Sequence, residues 1–503
     1  MKTRNLFLSL FAFAALCACN KEAQPETPQV LDADTYIKVN IMATGASTRA
    51  YEYGEADENA VHNVVFLFYG EGDKPVLAEG TDYDWNHTTT PNNVAVKSAT
   101  VKFKAQTDKP TSMIVVLNYG PNESDINTLK GLTLGDAKQN IANTFSISTG
   151  TPAVTYYTMT NSVYVDGSTV VCEVPLTDSN FGKTTTEGAT ADAVDPVDVY
   201  VERVAAKAVL TNNIEPSDIT STPVAIEGNA ISVTPVVVGY DVVNTPNKSY
   251  LFKNVLSTWA YPDWNLPTDH RSFWAKTCDL TLSDYSNKKY NEIVAVSDPI
   301  YMFENTSENR TKVILTAYLT VPDDTFGSDG DTDADIVDLV KYNSTYYTFD
   351  GFVTEAKEAV LASKGIDLSG KTLVAVPETN NYEMHLALAD GHGLADDVAA
   401  TVNNALALMV ASYWKDGKCY YYTEIKHDLR ESNAIDAPVL KGVVRNHVYK
   451  ISLDSLAGLG IPVSGENTST IVPDTPDSEY YSLNATINIL QWKIVEQGVD
   501  FNN

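Results

Sequence analysis

Tyr36 to Ile41 reads YIKVNI, with Ile37, Val39 and Ile41 on one face and Tyr36, Lys38 and Asn40 on the other. That period of two marks a strand with one apolar side. A second segment with the same pattern lies at the far end of the chain: Leu483 to Ile489, LNATINI, with Leu483, Ala485, Ile487 and Ile489 on one face. Just after the first strand stands Ser47-Thr48-Arg49-Ala50, in a run of small and polar residues that offers a trypsin-like protease extended backbone after Arg49. A cut there removes the first strand and empties its groove. An empty groove and a spare strand of matching pattern predict a subunit that polymerises by donating its tail to a neighbour.

Outward from the first strand, the chain reads as one strand after another. Val64 to Tyr69 (VVFLFY) and Ser112 to Asn118 (SMIVVLN) are continuous apolar runs, suited to strands buried on both sides, and Thr100 to Lys104 (TVKFK) alternates. Gly70, Gly72, Pro91 and Gly167 punctuate these runs at the spacing of a sandwich. Ser124 to Phe145 is the main helical candidate of this half, broken by Gly131 and Gly135. A polar stretch at 182–198 separates it from a second half that opens with Val199 to Leu210, VYVERVAAKAVL, where Glu202-Arg203 reads as a surface ion pair. Further strands are expected at Val233 to Tyr240, Val313 to Val321, Leu373 to Val376 and Cys419 to Ile425. Helices with core-facing apolar residues are expected at Val353 to Lys364 and Asp396 to Met409. Val443 to Ile451 (VVRNHVYKI) and Val472 to Asp477 (VPDTPD) lead to the tail, and Pro473 and Pro476 make a stiff hinge that swings it away from its own domain.

The first eighteen residues form a targeting segment. Lys2 and Arg4 are its positive start, Leu6 to Leu16 is too short to span a bilayer permanently, and Leu16-Cys17-Ala18-Cys19 resembles a bacterial lipobox with Cys19 as the acylated residue. Several acyl chains on one cysteine hold a precursor firmly to a membrane. Asn20 to Asp34 reads as an extended tether, so a cut after Arg49 removes both strand and anchor.

At 503 residues the chain fits two or more domains. The formal charge is −30, and the first 49 residues carry five Lys/Arg and four Asp/Glu, so a product starting at Ala50 carries −31. Such acidity argues against nucleic acid or anionic lipid as partners. Cys172, Cys278 and Cys419, which lie outside the targeting region, are too few and too far apart for a disulfide framework. They read as buried small hydrophobes, with a single disulfide as the alternative. The seven histidines show no metalloprotease spacing, and no nucleophile elbow or phosphate-cradling loop occurs. No cofactor and no catalysis are expected, although so many carboxylates leave a glycosidase pair open. The run containing Asp329, Asp331 and Asp333 has alternate oxygens for Ca²⁺. It departs from an EF-hand loop at Ala334 and Val340 and reads as a solvated acidic loop. Trp259, Tyr261, Trp264, Phe273 and Trp274 read as a packed loop, with a sugar-binding surface as the alternative.

Taken in order, the lipobox at Cys19, the Thr48-Arg49-Ala50 junction, VYVERVAAKAVL, VVRNHVYKI, VPDTPD and the terminal ILQWKIVEQGVDF resemble the Bacteroidales fimbrillins. The likeness is to major shaft subunits of the minor-fimbria type. The resemblance implies a mainly β chain of two transthyretin-like β-sandwich domains (50–197 and 198–472), with short helical insertions and a C-terminal donor strand in 473–503. It implies signal removal at 1–18, lipidation of Cys19 in an outer-membrane precursor, and loss of 19–49 to an arginine-specific protease acting between Arg49 and Ala50. The groove left by Ile37, Val39 and Ile41 is then filled by Leu483, Ala485, Ile487 and Ile489 of another copy, with Trp492 as an anchor beyond them. Its partners are copies of itself and accessory anchor and tip subunits in extracellular fimbriae. A non-polymerising glycan-binding lipoprotein is the alternative.

Overall fold

Val64–Tyr69 and Ser112–Leu117 lie side by side as an antiparallel pair. Phe66 and Phe68 with Met113, Val115 and Leu117 face one hydrophobic cluster, while Val65, Leu67 and Tyr69 with Ile114 and Val116 face another. Neither side meets water, which is why Val64–Tyr69 and the run from Met113 to Leu117 are apolar throughout. The computed structural model describes residues 30–31, 33–43, 51–53, 57–84, 97–120, 122–167, 169–183, 194–255, 275–323, 325–326, 335–425, 427, 442–465 and 481–493. Among these residues the fold is mainly β.

The two runs belong to a ten-stranded sheet. Its main path runs in space Pro75–Val76, Val64–Tyr69, Ser112–Leu117, Met159–Asn161, Val197–Arg203, Thr35–Ala43, Lys97–Phe103, Gly80–Asp84. Phe68 and Phe103 come from strands well separated in that order, yet their rings meet edge to face at 4.9 Å. The sheet therefore curls around its own core. Helices Glu123–Lys130 and Leu134–Lys138 cover the outer apolar face with Leu129, Leu134 and Ala137. The break expected at Gly131 separates them, whereas Gly135, also expected to break the run, lies inside the second helix, which Thr133 caps by accepting from the Asp136 N–H.

The second half places a six-stranded sheet against an eleven-stranded one. Ala206, Ala208, Tyr449, Ile451 and Leu453 from the former share a core with Val233, Val313, Leu315, Leu319 and Tyr421 from the latter. Helices Phe349–Lys364 and Asp396–Leu406 pack on an extension of the larger sheet. Phe352, Ala356 and Val360 on the first helix, and Ala399, Val402 and Leu406 on the second, point inward. Thr348 opens the first helix, and Gly365, at φ 68°, closes it in the left-handed conformation that glycine adopts without penalty.

VYVERVAAKAVL is two strands. Val197–Arg203 lies in the ten-stranded sheet and Ala205–Asn212 in the six-stranded one, so the chain changes sheets at Val204. The boundary expected between 197 and 198 falls at the start of a strand that belongs to the first sheet.

Cys172, Cys278 and Cys419 are free and buried. Burial pushes the Cys172 thiol from 9.0 up to about 12. Once unfolded, that thiol ionises near pH 9.0, whereas the folded one keeps its proton. Its contribution to stability is therefore complete below that pH and is lost as pH rises toward about 12. Denaturation midpoints should fall as pH rises from about 9 to about 10, with a slope that Cys172→Ala reduces. In native protein a thiol reagent should label none of the three cysteines until denaturant is added.

Candidate functional site

The N-terminal strand Thr35–Ala43 is interior to the first sheet. It pairs antiparallel with Lys97–Phe103 from Thr35↔Phe103 to Ile41↔Lys97, and parallel with Val197–Arg203 from Val39↔Val197 to Ala43↔Val201. Ile37, Val39 and Ile41 are buried at 0%, 0% and 3% exposure among Phe66, Phe68, Val101, Phe103 and Val199. On the opposite face Lys38 is exposed, but Tyr36 is fully buried over Gly182. A Cβ on Gly182 would stand 2.6 Å from the Tyr36 ring, so only glycine admits that side chain. Burying the three aliphatic side chains contributes about 1.5–3 kcal/mol each. Removing the strand would part the sheet between Val197–Arg203 and Lys97–Phe103 and leave two unpaired edges.

The C-terminal strand Tyr481–Lys493 lies in the second sheet of its own chain, where sequence reading expects a tail swung away. It pairs antiparallel with His447–Gly458, from Gly458↔Tyr481 to His447↔Gln491, and parallel with the short strand Tyr51–Tyr53. Leu483 is half-buried against the core of the second half. Ala485, Ile487 and Ile489 stand opposite Leu453, Ile451 and Tyr449, while Trp492 stands opposite Glu52. The tail thus has one antiparallel and one parallel neighbour, and Thr35–Ala43 has the same two kinds together with a short antiparallel contact, Thr35↔Lys183 and Tyr36↔Gly182. A tail entering the first groove in the orientation of Thr35–Ala43 would meet the kinds of edge it has at home.

Glu202 and Arg203 correct the surface reading: they are 1% and 2% exposed. They lie where the chain changes sheets, and the second half covers the face that a lone domain would leave in water. The Glu202 carboxylate pairs with Lys253 at 2.6 Å, both side chains fully buried. Arg203 donates from Nε to the Glu58 carbonyl at 3.0 Å, from Nη1 to Asn446 Oδ1 at 3.3 Å, and from Nη2 to Asn59. Asn446 returns a bond from its N–H to the Ala205 carbonyl at 2.8 Å. Glu58 pairs with Lys207 at 2.9 Å and accepts from the Tyr301 hydroxyl. Arg445 pairs with Glu304 and donates to the carbonyls of Leu251 at 3.1 Å and Tyr250 at 2.8 Å.

Burial pushes the Arg203 guanidinium down to about 10 and also lowers the Lys253 ammonium, which Glu202 partly offsets. Burial would lower Arg445 as well, but Glu304 beside it outweighs that and raises it. VYVERVAAKAVL and VVRNHVYKI, far apart in sequence, meet as two halves of one charged junction. Lys253 and Glu304 were missed because each is a lone charge among uncharged neighbours, and Glu58 because it is one carboxylate of an acidic stretch with Glu52, Glu55 and Asp57. The available signal was Lys207 inside an otherwise apolar strand.

Cys19, Arg49, Ala50, Asp329, Asp331 and Asp333, the aromatic segment from Trp259 to Trp274, and the proline pair at Pro473 and Pro476 lie outside the described residues. Among the described residues no group of His, Cys, Asp and Glu could hold a metal ion. No described helix is long and apolar enough to cross a membrane.

Residues 412–498 match the family model for the C-terminal region of fimbrillin, the type IV major fimbrial subunit protein. The chain is similar to a fimbrilin (FimA) of Porphyromonas gingivalis W83 at 13% identity and a TM-score of 0.34, covering 92% of this chain and 98% of that one. It is also similar to the C-terminally truncated tip fimbrial protein Mfa3 of the same species, at 12% and 0.32, covering 91% and 100%. A fimbrial assembly protein of Parabacteroides distasonis matches at 10% and 0.28, covering 72% and 97%. No curated protein matches in sequence. The fimbrillin match thus covers residues 412–498 of the chain.

The junction yields a direct test. Glu202→Gln leaves the Lys253 charge buried without its partner and should cost about 3–5 kcal/mol in urea denaturation. Replacing the pair together, Glu202→Leu with Lys253→Met, removes both charges and should recover most of that loss. A double variant as unstable as the single one would show that the pair's packing, rather than its charge balance, matters.

Proposed function

We propose that this chain is a fimbrillin, a structural shaft subunit of a surface fimbria that supports adhesion. Its precursor is carried to the outer membrane on a lipid at Cys19, cut between Arg49 and Ala50 by an arginine-specific protease, and then polymerised. The tail of one copy, with Leu483, Ala485, Ile487 and Ile489 inward and Trp492 beyond them, takes the groove of Ile37, Val39 and Ile41 in the next. Its partners are further copies of itself together with anchor and tip subunits. Each subunit on this reading is a pair of transthyretin-like sandwiches.

One observation carries the reading. The strand on the lipid side of Arg49 is a fully seated interior strand, and Tyr481–Lys493 has the same apolar period and, like it, an antiparallel ladder on one edge and a parallel pairing on the other, the N-terminal strand adding a two-residue antiparallel contact with Gly182–Lys183. While Thr35–Ala43 fills its groove, no second strand fits there, so the uncut precursor stays monomeric. An arginine in a short link between that strand and the rest of the chain makes one cut sufficient to vacate it.

Limited trypsin treatment of purified precursor should give chains starting at Ala50 and ladders on SDS gels run without boiling. Deleting 481–503 should abolish the ladders while the remaining sheets keep their cooperative unfolding. Cut protein that stays strictly monomeric would overturn the proposal, as would unfolding of the whole chain on deletion.

A further inference from the structure

We infer that Tyr51–Tyr53 is a clasp on the chain's own tail, and that the cut which empties the first groove also opens this clasp. The inference rests on the strand-exchange reading above and adds control of the donor to control of the acceptor.

Tyr481–Lys493 has two edges. One is laddered to His447–Gly458, and the C-terminal end of the other is covered by Tyr51↔Gln491, Glu52↔Trp492 and Tyr53↔Lys493. Among the described residues Tyr51–Tyr53 is the outermost strand of that sheet, and the tail is its only partner in the sheet. Its two flanks differ in strength. On the C-terminal side Glu58, 2% exposed, is fixed by Lys207 at 2.9 Å and by the Tyr301 hydroxyl. On the N-terminal side, residues 44–50 join the clasp to Ala43 of the N-terminal strand, which is laddered on both sides in the other sheet. That link of seven residues spans at most about 25 Å. In the intact chain the clasp is therefore held at both ends.

After a cut between Arg49 and Ala50, Tyr51 is the second residue of the new chain. A three-residue edge strand beside a free terminus frays readily. The tail edge it covered then opens, and an open edge is what allows a strand to leave its sheet or pair elsewhere. Before the cut the same contact guards the tail against premature pairing.

Two measurements on the full-length protein test this. Hydrogen exchange of amides 491–493, where the clasp lies, should be slow in the precursor and about tenfold faster after cutting, equivalent to about 1.4 kcal/mol. Replacing Tyr51, Glu52 and Tyr53 together by Pro, which leaves the clasp no backbone N–H to donate, should give the fast exchange without any cut. Equal exchange in all three forms would overturn the clasp whether or not fibres form. Separately, Tyr51→Cys with Gln491→Cys, oxidised and then cut, should stay monomeric until a reductant is added. Polymerisation as fast as in the reduced form would also overturn it. If exchange behaves as expected but no cut form polymerises even when reduced, the clasp stands and the fibre reading falls.

Discussion

The ladder of Thr35–Ala43 is the constraint on which the rest of the structure depends. That strand lies between Val197–Arg203 and Lys97–Phe103, which have no other means of meeting within the sheet. Its inward aliphatic side chains complete the core that Phe68 and Phe103 close from opposite parts of the curled sheet. An interior strand has to satisfy hydrogen bonds on two edges and packing on its faces at once, so few sequences can replace it. The second apolar strand of period two, at the other end of the chain, is suited to the same demands.

The charged junction fixes how the two halves share that constraint. Buried ion pairs contribute little net stability, because desolvation offsets most of the attraction, but a junction missing one partner is strongly unfavourable. Glu202 with Lys253 and Arg445 with Glu304 therefore tolerate few alternative arrangements of the sheets they join. Glu58 extends the same logic to the residues that follow Tyr51–Tyr53, pairing with Lys207 and accepting from Arg203 through its carbonyl. The C-terminal flank of Tyr51–Tyr53 is thereby held in place independently of the first strand, while its N-terminal flank is not.

The strands were legible where one physical rule decided them. Alternation marked Ile37, Val39 and Ile41, and unbroken apolar runs marked Val64–Tyr69 and Ser112–Leu117. Gly131 broke the 124–145 helix, and spacing marked Val353 to Lys364 as helical. The burial of Glu202 and Arg203 was not legible. It results from a second domain covering the strand, and no local pattern around two adjacent charges encodes what packs on them from a distance. The seat of the tail within its own chain was not legible for a related reason. Two prolines announce a bend but say nothing of the partner beyond it, and His447–Gly458 with Tyr51–Tyr53 are joined to the tail only by the fold.

On the proposed reading, exchange swaps one two-edged aliphatic strand for another, so contacts alone give the reaction little direction. Tethering supplies it. A strand joined to its groove by a short link competes at an effective concentration of about a millimolar, and no free tail at lower concentration can displace it. Cutting the link turns the N-terminal strand into a separate fragment, and its advantage falls with dilution. At about a micromolar of fragment the balance moves by roughly a thousandfold, or about 4 kcal/mol. That exceeds what a difference of one methyl group between the two strands would contribute. The position of Arg49 between strand and domain, more than any improved fit of the tail, is then what makes polymerisation run forward.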